Sequence, residues 1–147
     1  MQRTCLIIKP DGVGKKVAGE IIKRFENEGL KLVGLKMVEP GRKVMEEFYG
    51  IHKGKPFFEP FINFVVSSPV IVCAWEAEDA VAQTRKIIGA TNSKDALPGT
   101  LRNLFGTDNR RNVVHSSDSP ENAKREIEFF FKNNELFSYN LDEWKSK

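Results

Sequence analysis

The 147-residue chain predicts an α+β fold: a four-stranded, mostly antiparallel sheet with helices packed on one face and a long loop at about residues 90–111. Three observations carry that expectation. Two continuous apolar runs, Thr4–Ile8 and Val70–Trp75, have the length of buried strands rather than helices. Between the strand-like runs lie segments whose apolar residues recur every three or four positions, the period of amphipathic helices. In chain order the elements read strand, helix, strand, helices, strand, helix, strand, which is the split βαβ, ferredoxin-like sandwich. No repeat or linker interrupts that order, so residues 1–147 are expected to form one domain with its own core.

Each element has a local reason. Thr4–Ile8 is a buried central strand, ended by a turn at Pro10-Asp11-Gly12. Val17, Ile21, Ile22 and Phe25 space a helix over Val17–Glu28, stopped by Gly29. Leu30–Val38 alternates apolar residues with Lys31, Gly34 and Lys36, as a half-exposed strand does. Two short helices, Lys43–Tyr49 and Phe57–Val66, follow. Val70–Trp75 is the third strand, and Ala80–Ile88 a helix closed by Gly89. The stretch from Ala90 to Arg111 is rich in Asn, Ser, Asp, Gly and Pro, with one helical turn near Thr100–Leu104. A loop of that length in a compact domain points to function. Asn112–His115 makes a short fourth strand, and Ser119–Phe131 a helix with Ser119 as N-cap and Pro120 at its first position. The tail, Lys132–Lys147, has aromatics without periodicity and is expected to lie over the surface or against a neighbour.

Composition narrows the setting. The net charge of +3 is a mild basic excess that suits an anionic small ligand as well as nucleic acid. Cys5 and Cys73 each sit inside an apolar run, which reads as two buried thiols in a reducing compartment rather than a disulfide or metal framework. The apolar run at the start is too short for a signal peptide, and no stretch has membrane-spanning length. A cytoplasmic protein with no membrane partner is expected.

The chemistry centres on His115, where an apolar strand gives way to small polar residues and then a helix. A lone histidine is most often a structural residue. At such a position, however, imidazole can act as a nucleophile and later as a leaving group. On the helix that follows, Ala123, Ile127 and Phe130 form the apolar stripe, and Glu126 borders it. A carboxylate there is partly desolvated and needs a partner. Ser117 is a natural donor to it, and the two would orient the imidazole; the alternative is an ordinary pairing of Glu126 with a lysine such as Lys124. Lys9, Arg85 and Arg102 are scattered cations that signify phosphate binding only if they converge on His115. Gly12-Val13-Gly14-Lys15 lacks P-loop spacing. Phe57, Phe58 and Phe61 form an aromatic cluster, either core or a surface on which a base stacks.

Taken together these segments resemble the nucleoside diphosphate kinase family over essentially the whole chain. Asn112-Val113-Val114-His115-Ser116-Ser117-Asp118-Ser119 is close to the family's N-x-x-H-G-S-D-S signature. It is joined in order by Lys9-Pro10-Asp11-Gly12, Tyr49, Pro56-Phe57-Phe58, Gly89-Ala90-Thr91-Asn92 and Leu97-Pro98-Gly99-Thr100-Leu101-Arg102. The resemblance implies ping-pong exchange of a γ-phosphate between nucleoside tri- and diphosphates (ATP, GTP and others, ribo and deoxy) with broad base acceptance. It implies His115 as the nucleophile through Nδ1, with Ser117 and Glu126 orienting it. Lys9, Tyr49, Arg85, Thr91, Arg102 and Asn112 match positions that hold the phosphates and sugar, and Phe57 matches the base-stacking residue. Mg²⁺ is implied as cofactor, held mainly by nucleotide phosphates with Asp118 reaching it through water. A homo-oligomer, tetramer or hexamer, is implied too.

Three departures from the family pattern stand out. Ser116 replaces the usual Gly, which would be mildly strained if that position needs an unusual backbone angle. Ser93 stands where Pro is frequent, which would loosen the long loop and weaken subunit contacts. Asn109-Arg110 replaces an apolar-Gly pair near the base site, which puts the second wall of the base clamp in doubt. Two other functions fit the sequence less well. A nucleic-acid-binding module of this fold needs exposed aromatics on its central strands, which here are aliphatic apart from Trp75. An inactive interaction protein would not be expected to keep His115, Lys9, Arg85, Arg102, Asn112 and Glu126.

Overall fold

The computed structural model describes residues 1–144. The elements are β1 (Gln2–Ile8), α1 (Pro10–Gly14), α2 (Ala18–Asn27), β2 (Lys31–Val38), α3 (Arg42–Phe48), α4 (Phe58–Val65), β3 (Val70–Ala77), α5 (Ala80–Ile88), α6 (Leu101–Phe105), β4 (Val114–Ser116) and α7 (Pro120–Phe130). Short 3₁₀ turns occupy Gly50–His52, Ser93–Asp95 and Asn133–Glu135. The sheet order is β2-β3-β1-β4 with every pairing antiparallel. This is the expected α+β, ferredoxin-like arrangement.

Helices cover both faces of the sheet, not one. Alternate residues of the central strands enter two separate cores. Cys5, Ile7, Val72 and Ala74 pack with Met45, Phe48, Phe58, Ile62 and Ile127, from α3, α4 and α7. Leu6, Ile8, Cys73 and Trp75 pack with Ile21, Phe25, Ile87 and Ile88, from α2 and α5, and with Leu101. Trp75 stacks on Phe25 with ring centroids 5.1 Å apart. The unbroken apolar character of β1 and β3 is the cause: a strand buried on both sides needs apolar residues at every position. Cys5 and Cys73 are buried free thiols on opposite faces, and burial pushes the Cys73 pKa up to about 12.

Local differences also have physical reasons. Pro10-Asp11-Gly12 opens a short helix instead of a simple turn, with Pro10 at the first position, where its missing N–H costs nothing. In β2 the register shifts between Leu32 and Gly34, an irregularity that inserts Val33. Beyond that bulge Leu35 and Met37 face solvent, 50% and 59% exposed. Ser119 caps α7 as expected, its Oγ accepting from Asn122 N at 3.1 Å. After α7 the tail runs along the free edge of β2. Phe137 N donates to Val33 O at 2.9 Å, and the Tyr139 hydroxyl donates to Leu32 O. The expectation for the last three residues, 145–147, lies outside the described residues.

Candidate active site

His115 sits in the middle of β4, opposite Ile7 of the central strand β1. Its imidazole is gripped from one side only. Nε2 lies 2.9 Å from Glu126 Oε1, and Ser117 Oγ donates to the same oxygen at 2.8 Å. Ser117 is itself fixed by β1, accepting from Cys5 N at 3.3 Å and donating its own N–H to Cys5 O at 3.2 Å. Phe48 and Tyr49 meet the imidazole edge-on, with centroids 5.3 and 5.5 Å away. A carboxylate can only accept, so Nε2 carries the proton and Nδ1 keeps a free lone pair.

Glu126 goes further into the helix stripe than the wheel suggests. It is buried with Ala123 and Ile127, while Phe130 is only partly covered. Lys124 is exposed and takes no part. Among the described residues, Arg125 is the Lys or Arg that pairs with the carboxylate, its Nη2 4.0 Å from Oε2.

The backbone leading to His115 is bent. Val113 adopts φ +64°, the left-handed region that a β-branched residue rarely enters. It is clamped there by Lys9 N donating to Val113 O at 2.8 Å and by Val113 N donating to Asp11 Oδ2 at 3.0 Å. Gly12 permits the approach, since a Cβ there would stand 2.9 Å from Val113 O. The Lys9–Gly12 segment therefore shapes the backbone two residues before the histidine. Ser116, by contrast, lies in the regular part of β4 outside the left-handed region, so the expected strain is absent.

An open cavity of about 490 Å³ faces His115. Lys9, Tyr49, Phe57, Arg85, Thr91, Arg102, Asn112, Asp118 and Glu126 line it with His115; Ser117 stands behind, buried against Glu126. Lys9 is buried, donating to Asn112 Oδ1 at 2.6 Å and Arg110 O at 2.7 Å, and desolvation brings its pKa down to about 7. Arg102 donates to Val114 O at 2.8 Å and Gly89 O at 3.1 Å. Burial, then the Arg85 charge, brings it down to about 10. Asn112 Nδ2 donates to Thr91 O at 2.8 Å, which joins the two ends of the long loop. Asp118 receives Asn122 Nδ2 at 2.6 Å, and that hydrogen bond holds its carboxyl below the usual range.

Ser93 tightens the long loop where loosening was expected. Its N–H and Oγ–H both donate to Asp108 O, at 3.2 and 3.0 Å. Asn109 and Arg110 do line the cavity. Sequence reasoning missed His52, in the 3₁₀ turn after α3. It lines the same cavity, and among the described residues its buried Nδ1 has no hydrogen-bond partner. Burial, then the charges of Lys55 and His115, lower its pKa. The 3₁₀ turn that carries it leaves no periodic signal in the sequence.

A family model described as nucleoside diphosphate kinase matches residues 2–136. The chain belongs to the nucleoside diphosphate kinase family. It is 53% identical to the nucleoside diphosphate kinase of Carboxydothermus hydrogenoformans over 98% of both chains, and 52% identical to that of Pelotomaculum thermopropionicum, again over 98% of both. Among solved structures, the Aquifex aeolicus nucleoside diphosphate kinase superposes with a TM-score of 0.91 at 41% identity, over 92% of this chain and 99% of that one. A halophilic nucleoside diphosphate kinase from Halobacterium salinarum, solved in complex with CDP, gives 0.93 at 40% identity over 96% and 94%. The protein is therefore a phosphotransferase acting between nucleoside tri- and diphosphates. No helix among the described residues is long and apolar enough to cross a membrane.

As in other kinases, nucleoside diphosphate kinase chemistry calls for a divalent cation. Among the described residues no group of three His, Cys, Asp or Glu side chains is placed to hold one. Asp118, exposed at the cavity wall, is a single carboxylate. That donor set fits Mg²⁺, which usually keeps several waters and binds substrate phosphates with one or two carboxylates.

Proposed function

We infer that transfer proceeds by a ping-pong mechanism through a phosphohistidine on His115 Nδ1. The observation that carries this reading is the Nε2–Glu126 contact, which leaves Nδ1 unprotonated beside a cavity rich in cations. The Nδ1 lone pair attacks the γ-phosphorus, and the bond to the bridging β-γ oxygen breaks, its electrons leaving with the nucleoside diphosphate. A β-phosphate oxygen of a second nucleoside diphosphate then attacks the phosphohistidine, returning the electron pair to Nδ1. Glu126 steadies the positive charge that develops on the ring, and Ser117 keeps Glu126 in place. Lys9, Arg85 and Arg102 neutralise the transferring group, the main requirement of phosphoryl transfer. Tyr49, Thr91, Asn112 and His52 hold phosphate and sugar. Mg²⁺, bound mainly by the phosphates with Asp118 through water, supplies further charge neutralisation. Stacking on Phe57, half-exposed at the cavity mouth, tolerates any base and underlies broad acceptance of ribo and deoxy nucleotides.

Incubation with γ-labelled ATP tests this reading. A phosphoenzyme that is acid-labile and base-stable, discharged by any nucleoside diphosphate, is expected. A folded His115→Gln variant that still transfers phosphate contradicts it. The one catalytic domain acts in the cytoplasm as a homo-oligomer, tetramer or hexamer. Leu35 and Met37 on the edge strand β2, with Phe137 beside them, supply the apolar surface for subunit contact. Light scattering should give a multiple of the 16.7 kDa chain mass that falls in Met37→Lys; a wild-type monomer contradicts the assembly.

A further inference from the structure

Phe57, Phe61 and Phe64 fall at i, i+4 and i+7, along one face of α4 and its first turn. The segment Asp108–Asn112 stands against that face. Lys9 Nζ links the two, 5.5 and 5.4 Å from the Phe61 and Phe64 ring centroids and hydrogen-bonded to Arg110 O. Phe64 shares a second, shallower groove with Asn109 and Arg110. The backbone of the segment is pinned. Asp108 Oδ1 accepts from Arg110 N at 3.0 Å and Arg111 N at 2.7 Å, and these backbone hydrogen bonds hold the Asp108 carboxyl well below the usual range. Asn109 O accepts from Asn112 Nδ2 at 3.3 Å.

The two side chains this turn presents have no such duties. Asp108 engages the Arg111 guanidinium at 2.9 Å. Asn109 and Arg110 are exposed, and among the described residues neither side chain makes a hydrogen bond or ion pair. Both line the cavity that holds Phe57 and His115. A rigid turn thus offers an amide and a planar guanidinium fork to whatever lies on Phe57.

We propose that Asn109 and Arg110 read the edge of the nucleobase and give this enzyme a preference for guanine nucleotides within its broad range. The proposal rests on Phe57 as the base-stacking surface. Guanine presents two adjacent acceptors, O6 and N7, which match an arginine fork, whereas adenine presents N7 beside the N6 donor. Cytosine and uracil are smaller and offer no such pair. Because the fork is exposed to water, the gain is well below that of a buried bidentate contact, about three- to tenfold.

The test isolates the phosphoenzyme and measures its second-order discharge by GDP, ADP, CDP and UDP. GDP is expected to react about three- to tenfold faster than ADP. Arg110→Lys keeps the charge but loses the fork, and should bring the GDP/ADP ratio close to one, as should Arg110→Gly. Asn109→Val should reduce the ratio. A wild-type phosphoenzyme that discharges equally with all four overturns this inference and leaves the phosphohistidine reading intact. Equal slowing of every nucleotide by Arg110→Gly, with Arg110→Lys keeping the wild-type rates and GDP/ADP ratio, also overturns it, because the side chain then acts as a general cation. If no phosphoenzyme forms, the underlying reading fails instead.

Discussion

Lys9 is an ammonium buried among aromatic rings and hydrogen-bonded only to oxygen acceptors. Burial is the main reason its pKa comes down to about 7 from the ordinary 10.5. A lysine whose pKa is lowered by folding binds its proton less tightly in the native state than in the unfolded chain. Its stability cost is therefore fully present below about pH 7 and is relieved as pH rises toward the unfolded value. Bringing a triphosphate to Nζ opposes the burial effect and raises the pKa again. Nucleotide binding at pH 8 should then take up nearly one proton, read as a calorimetric enthalpy that depends on the ionisation enthalpy of the buffer. Lys9→Gln should remove that dependence. Buffer-independent enthalpy in the wild type would show that Lys9 stays protonated in the free protein.

At the level of elements, the parts that were legible are those governed by local pattern. β1 and β3 stand out because strands buried on both faces have unbroken apolar sequences, and α7 because Ser119 and Pro120 carry its start. The same apolar runs implied two covered faces, a consequence that the count of helices alone hid. The exposure of Leu35 and Met37 was not legible, because the bulge at Val33 depends on how β2 pairs with β3. In the site, Glu126 could be placed by helical period. His52 could not, since a 3₁₀ turn has no apolar rhythm and its position follows from packing around it. Ser93 shows how a loop uses tertiary contacts. It fits against Gly106, where an added Cβ would lie 1.9 Å from Ser93 Oγ and 2.7 Å from Arg102 O. Gly106→Ala should therefore destabilise the protein by about 1–3 kcal/mol, the usual cost of overpacking. Thermal unfolding measures this; an unchanged Tm would mean that the Ser93–Asp108 staple is loose.

For the whole molecule, two cores grip the central strands from opposite sides and hold β4 in fixed register at the sheet edge. α7 packs on the same strand that pairs with β4, so Glu126, steadied by Ser117, reaches His115 from rigid neighbours. The long loop brings Arg102, Asn112 and the Asn109–Arg110 pair to the other side of the cavity. On the proposed mechanism, such an assembly presets one ring nitrogen for attack and surrounds the incoming phosphate with positive charge. Central to the proposed mechanism, Glu126 takes Nε2 and leaves Nδ1 as nucleophile. Phosphorus–nitrogen couplings in an NMR spectrum of the phosphoenzyme, prepared with ¹⁵N-labelled histidine, test it most directly. A single phosphoryl group bonded to Nδ1 of His115 is expected. A phosphoryl group on Nε2, or an acid-stable ester on a hydroxyl, would contradict it.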